Sequence, residues 1–211
     1  MLRSSTASPV VAATLLETIT ARADSRGLQA AQRVGALLFV TVLTAIAAQI
    51  SVPLPFTPVP FTFQPMIVLL GGAALGARLG MASQILYLAL GVAGLPVFAA
   101  SATLPPGAAR LLGPTGGYLM SYPFAALVAG YLAGRGFDRR YVTAVIAMAA
   151  GLAVIFTCGA LWLGFVIQPS RGLTGALAIG VFPFVLPDLF KLLVAAGVMP
   201  GLWWLTGRRA S

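Results

Sequence analysis

The chain has 211 residues, 59% of them hydrophobic and 8% charged, with mean hydropathy +0.98 and a formal net charge of +9. Soluble domains carry roughly 25% charged residues, so this composition excludes an ordinary globular protein and points to a single polytopic, all-α membrane domain. The basic residues lie between apolar segments and form no face interleaved with aromatics, which excludes nucleic acid as a partner.

Residues 1–33 are polar, carry Arg3, Arg22, Arg26 and Arg33, and place no apolar core before a small-residue cleavage site. They read as a cytoplasmic N-terminal segment and not as a secretory signal. The stretch "SPVVAATLLETITARADSRGLQAAQRV" suits an amphipathic helix lying on the membrane, with a disordered tail as the other reading. Residues 34–211 are read as the membrane domain.

A helix needs about 20 apolar residues to cross the hydrocarbon core. Residues 34–50, "VGALLFVTVLTAIAAQI", form the first span. Prolines at 53, 55, 58, 60 and 65 follow without any charge, which forbids regular helix and favours a stiff, extended path. A short segment over 62–76 and a tight turn at Arg78 lead into a third span over 79–95. A Gly/Pro-rich connection with Arg110 occupies 96–115. Spans over 116–133 and 141–166, a loop over 167–180 and a sixth span over 181–205 complete the chain. With six spans, the segments on one side hold Arg3, Arg22, Arg26, Arg33, Arg78, Arg135, Arg139, Arg140, Arg208 and Arg209. The other side holds only Arg110 and Arg171. The positive-inside rule then puts both termini in the cytoplasm, with Trp203 and Trp204 in an inner-face aromatic belt.

Glycines at 72, 76 and 80, and again at 130 and 134, repeat at the four-residue interval that lets helices approach closely. Internal packing is the expected use. In the first span, Thr41 with Ala45 and Thr44 with Ala48 make a similar small-residue face. Cys158 is the single cysteine, sits in an apolar run, and is read as a small packing residue. Histidine is absent and the acids are scattered, so no catalytic constellation, metal site or cofactor is expected, and the chain is not read as an enzyme. No Gly-x-x-x-x-Gly-Lys pattern occurs, so ATP hydrolysis is not expected of this chain either.

The last span holds the unusual pair. Asp188 and Lys191 lie in "FPFVLPDLFKLLVA", and Lys191 is the only lysine in the chain. A charge at the bilayer centre costs roughly 2.5–3.5 kcal/mol on insertion scales, so such residues face a cavity or a partner. Three residues apart, they share a helix face. The pair is either a structural ion pair or a ligand site in which the carboxylate accepts N–H groups and the ammonium donates to a carbonyl or an anion. In the six-span topology it lies on the outer half, with the proline-rich loop and the Arg110 loop on the same side. The glycines of "RLLGPTGGYLMSYP" open a helix start suited to anions.

Four stretches, "VPLPFTPVPFTFQ", "SQILYLALGVAGLPVFA", "LLGPTGGYLMSYP" and "FPFVLPDLFKLLVA", together resemble in order and spacing the BioY family, biotin-binding S components of energy-coupling factor vitamin transporters. The resemblance covers roughly residues 35–200. It implies a six-helix fold with an outward-facing pocket closed by the loop after the first helix. Asp188 would accept the ureido N–H groups of biotin, and Lys191 would donate to the ureido oxygen or hold the aspartate. Arg110 would take the valerate carboxylate, and Gln84, Tyr87 and Tyr118 would line the wall. It further implies a membrane coupling subunit and two ATP-binding subunits as partners, in the cell (inner) membrane, and leaves room for a homo-oligomer. The small-residue face of the first helix resembles the docking surface for the coupling subunit. Two other functions stand beside this one. One is a self-sufficient, proton-coupled carrier of a small organic anion that uses Asp188; the other is a non-transporting membrane assembly protein.

Overall fold

The computed structural model describes residues 14–101 and 105–206, and these are mostly helical, with two short strands. Helix α1 (Leu15–Thr20) is opened by a capping box between Thr14 and Glu17. Helix α2 (Arg26–Gln49) starts at Ser25, whose hydroxyl accepts from the Leu28 N–H. The expected first span therefore reaches eight residues further back, to Arg26, and the 33/34 boundary falls inside a continuous helix. The amphipathic segment foreseen from Ser8 is broken at 21–25 into α1 and the start of α2; its residues 8–13 lie outside those described.

The proline-rich stretch is extended, as its composition demands, and is closed by a two-residue antiparallel ladder. Strands β1 (Ser51–Val52) and β2 (Phe61–Thr62) pair Ser51 with Thr62 and Val52 with Phe61. Helices α3 (Gln64–Leu75) and α4 (Ala77–Val92) are separated by Gly76 alone. Its φ of 82° is left-handed backbone that other residues adopt only with strain. The turn expected at Arg78 is thus made two residues earlier. A 3-10 turn (Gly107–Leu112) precedes α5 (Gly116–Ala133), and α6 (Tyr141–Trp162) widens into a π-helical segment over Leu163–Ile167.

One expectation fails at 167–180. The segment read as a loop contains a 3-10 turn and then helix α7 (Gly172–Gly180), which leads into α8 (Phe182–Leu205). Its three glycines lower helix propensity, but α7 packs on the π segment of α6 and on α8, and Ala176 is buried there. Tertiary packing overrides the local signal.

Helix α5 is the hub, packed against α3, α4 and α6. Ala125, Ala126, Ala129 and Ala133 are fully buried along it. Of the glycines at the four-residue interval, Gly72, Gly80 and Gly130 serve this packing, while Gly76 makes the turn and Gly134 ends α5. A Cβ on Gly72 would stand 2.5 Å from the Ala126 carbonyl oxygen, and one on Gly130 would stand 2.5 Å from the Ala77 nitrogen. The helices touch backbone to backbone.

Among the described residues, Arg26–Gln49, Tyr141–Ile167 and Pro169–Leu205 are long and apolar enough to cross a membrane, with α3 and α4 as shorter apolar helices. The bundle has two chemically distinct ends. One gathers the β1–β2 hairpin, the 105–115 connection and the first turns of α8, which share a cavity. At the other, Thr14 lies against Gly76 and near Gly134, Arg22 donates to the Thr206 carbonyl at 2.9 Å, and Trp203 meets the α5–α6 loop.

Candidate functional site

The cavity at the hairpin end is enclosed by β2, the start of α3, the 3-10 turn, α5, α6 and α8. Helix α8 supplies two of its charges. Asp188 and Lys191 lie one turn apart, form an ion pair, and are each only 5% exposed. The Lys191 Nζ also donates to the Thr62 carbonyl oxygen at 2.6 Å, from 129 residues away in sequence. It stands 4.1 Å from the Phe61 ring centroid and 5.7 Å from that of Phe63. The ammonium is thus held by a carboxylate, a carbonyl and two aromatic faces. It also ties α8 to the hairpin.

Arg110 and Tyr118 line the same cavity. Arg110 is 4% exposed and donates from Nε to the Pro105 carbonyl at 2.8 Å. Burial pulls its pKa below the ordinary arginine value. Tyr118 presents its ring, since its hydroxyl donates to the Gly180 carbonyl at 2.7 Å. Four of the six residues expected at the site therefore meet there.

The other two do not line it. Tyr87 is fully buried behind the wall, where its hydroxyl receives the Gln64 Nε2 at 2.6 Å and donates to the Val97 carbonyl at 3.1 Å. It supports Gln64, which does line the cavity. Gln84 lies between α2 and α4, donating to the Thr44 hydroxyl at 3.3 Å and to Ser83 at 3.2 Å. A glutamine on a helix face of unknown direction looks the same in sequence whether it faces a cavity or a neighbouring helix.

The same contacts correct the expected docking face. Thr41 donates to the Ser83 carbonyl at 3.0 Å, and Thr41, Thr44 and Ala48 are buried. That small-residue face is covered by α4. Exposed on α2 instead are Leu38, Phe39, Val42 and Ile46.

The sequence reading missed Gln64, Thr115 and Tyr122. Gln64 links the hairpin to α4, because its Oε1 accepts from the Thr62 hydroxyl at 3.4 Å while its amide reaches Tyr87. Thr115 is the N-cap of α5, and its buried hydroxyl has no hydrogen-bond partner while lining the cavity. Its position at the glycine-opened helix start was the available signal. Tyr122, stacked near Tyr87 at 6.5 Å, offered none. The empty space between these walls, counted with its open mouth, is about 600 Å³. Among the described residues no group of acids or cysteines is placed to hold a metal ion.

Comparison with known proteins gives a consistent picture. A family model described as the BioY family matches residues 18–208. A probable biotin transporter BioY from Pyrococcus horikoshii is 40% identical over 165 residues, covering 78% of this chain and 92% of that protein. The biotin transporter BioY of Thermotoga maritima is 40% identical over 156 residues, covering 74% and 86%. Among solved structures, the S-component for biotin from an ECF-type ABC transporter superposes with a TM-score of 0.75 at 28% identity, covering 85% of this chain and 94% of that one.

Proposed function

The chain belongs to the BioY family, and from that premise we propose that it captures biotin in the hairpin-end cavity as the substrate-binding subunit of an energy-coupling factor importer. The observation that carries this reading is the Asp188–Lys191 pair, buried in a cavity wall and tied to the hairpin through Thr62. A cyclic urea offers two N–H donors and one strongly accepting oxygen. Asp188 suits the former and Lys191 the latter, through charge-assisted bonds about twice as strong as neutral ones. Arg110 and the unpartnered Thr115 hydroxyl suit a carboxylate at the other end of the ligand. An anion there would restore the Arg110 pKa that burial depresses. Tyr118 supplies an aromatic wall for the apolar bicycle, and Tyr87 acts through Gln64.

The chain is a multi-pass membrane protein, and its relatives are named transporters. We place it in the cell membrane with six spans (α2, α3, α4, α5, α6 and α8), both termini in the cytoplasm and the cavity facing outward. The arginine-poor hairpin end supports that orientation. The membrane coupling subunit is assigned to the open apolar groove between α1, α2 and α3, where Leu16, Phe39 and Leu70 are exposed to or line the groove, with two ATP-binding subunits beneath. This groove replaces the small-residue face of α2, which is already occupied.

Calorimetric titration of biotin into the purified, ligand-stripped protein tests the reading beside Asp188→Asn. Tight binding to the wild type and none to the folded variant is expected. Equal binding by both would overturn the site. Uptake into liposomes driven by a pH gradient alone would replace the importer with a self-sufficient carrier.

A further inference from the structure

The far end of the bundle carries a second constellation that the cavity does not use. The α5–α6 loop places Arg135, Arg139 and Arg140 within six residues of one another. Its one acid, Asp138, is turned inward: it is 1% exposed and accepts from the Trp203 Nε1 at 2.7 Å. The outward face of the loop is therefore positive. None of the three guanidinium groups pairs with a carboxylate among the described residues. Arg139 lies 4.9 Å over the Trp203 ring and Arg135 lies 4.4 Å over Tyr131. The Arg139 Nε is buried without a hydrogen-bond partner. A guanidinium with a donor left unsatisfied inside the chain favours an acceptor from outside it.

Arg140 is the N-cap of the 22-residue helix α6 and is exposed, with no side chain capping the helix. The free N–H groups of the first turn add a favourable field for an anion beside two arginine forks. Tyr141, Val142 and Trp204 stand exposed next to this loop, as an apolar rim does at a bilayer interface. An acceptor with charge alone would not need that rim.

We propose that the α5–α6 loop binds the phosphate of an anionic phospholipid headgroup, held by Arg139 and Arg140, with the acyl chains along α6 and α8. Planar guanidinium forks match phosphate oxygens in pairs, which ammonium groups do not. Arg139 and Arg135 are each held against an aromatic ring before any lipid arrives. The family reading enters only in assigning this loop to the cytoplasmic leaflet.

The test uses the full chain in nanodiscs of phosphatidylcholine with and without phosphatidylglycerol, and reads the melting temperature. Phosphatidylglycerol is expected to raise it by several degrees in the wild type and not in an Arg139→Gln, Arg140→Gln double variant. Native mass spectrometry of the single Arg140→Gln variant, which alters only an exposed side chain, is expected to show fewer retained phosphatidylglycerol molecules. A melting shift that survives in the double variant, or equal retention by Arg140→Gln, would overturn the proposal. So would an equal shift from soluble glycerol phosphate added to phosphatidylcholine discs, which would assign a free phosphate instead of a lipid. Biotin titration on the same discs reports separately on the cavity, so failure of one reading is not mistaken for failure of the other.

Discussion

Helix α8 serves both ends of the molecule and treats charge in opposite ways at each. Near its start, Lys191 is buried, paired with Asp188, and bonded across to Thr62 beside a cavity. Near its end, Trp203 takes the buried Asp138 inward while Arg139 lies over its ring, with Arg135 over Tyr131 and Arg140 exposed. The first arrangement spends desolvation to make donors and acceptors converge on enclosed space, which is the geometry of recognition. The second keeps cations at the surface over apolar rings, which is the geometry of anchoring. A membrane protein can thus be read by asking, for each charge, whether it points at a hole or at a headgroup.

The largest effect that tests this contrast lies in the buried pair. Lys191→Met leaves Asp188 buried without its partner and is expected to cost about 3–5 kcal/mol of stability. Adding Asp188→Asn should restore most of that loss, while biotin binding stays absent in both. Restored binding in the double variant would reduce the pair to a structural role. Thermal melting and calorimetry on the same samples give both readouts.

A smaller effect is expected behind the wall. Tyr87→Phe removes the acceptor for the Gln64 amide and the donor to Val97. It should cost about 1–3 kcal/mol and weaken biotin binding by about tenfold, since Gln64 loses its fixed orientation. Gln84→Ala, by contrast, should lower stability through Thr44 and Ser83 and leave affinity unchanged. Equal affinity losses in the two variants would erase the distinction between wall support and helix packing.

The smallest effect is a pH dependence at the anchoring end. Burial raises the Asp138 pKa above 3.8, against the opposing Trp203 hydrogen bond. The folded state therefore takes up this proton first as pH falls. The resulting stabilisation is complete below the unfolded value and is lost as pH rises through the folded one. Chemical denaturation across that window should show the wild type gaining stability relative to Asp138→Asn on acidification. The reverse slope would mean that the Asp138 carboxylate is held as an anion.

Much of this architecture was legible because membrane helices announce themselves by length and composition. The limits of α5 match the expected span, and Gly72 and Gly80 do pack helix on helix, while Gly76 between them is spent on the turn from α3 to α4. Asp188 and Lys191 stood out because charge in an apolar run is costly enough to demand a reason. Helix α7 was not legible, since its glycines weaken a local signal that contacts with α6 and α8 supply instead. Gln64 and Gln84 show the remaining limit. Both are buried amides at helix positions, and only the rotation of each helix in the bundle decides that one borders the cavity and the other does not.

Lys191 is the sole lysine of the chain, and its ammonium contacts the carboxylate, the hairpin carbonyl and two rings at once. Apart from the chain's own amino terminus, there is no other primary amine to confuse a reading. Lysine carrying nitrogen-15 at its side chain would give one resonance, placed where occupancy and hairpin position both alter its surroundings. The protein therefore carries its own single-site spectroscopic reporter, without any engineered label.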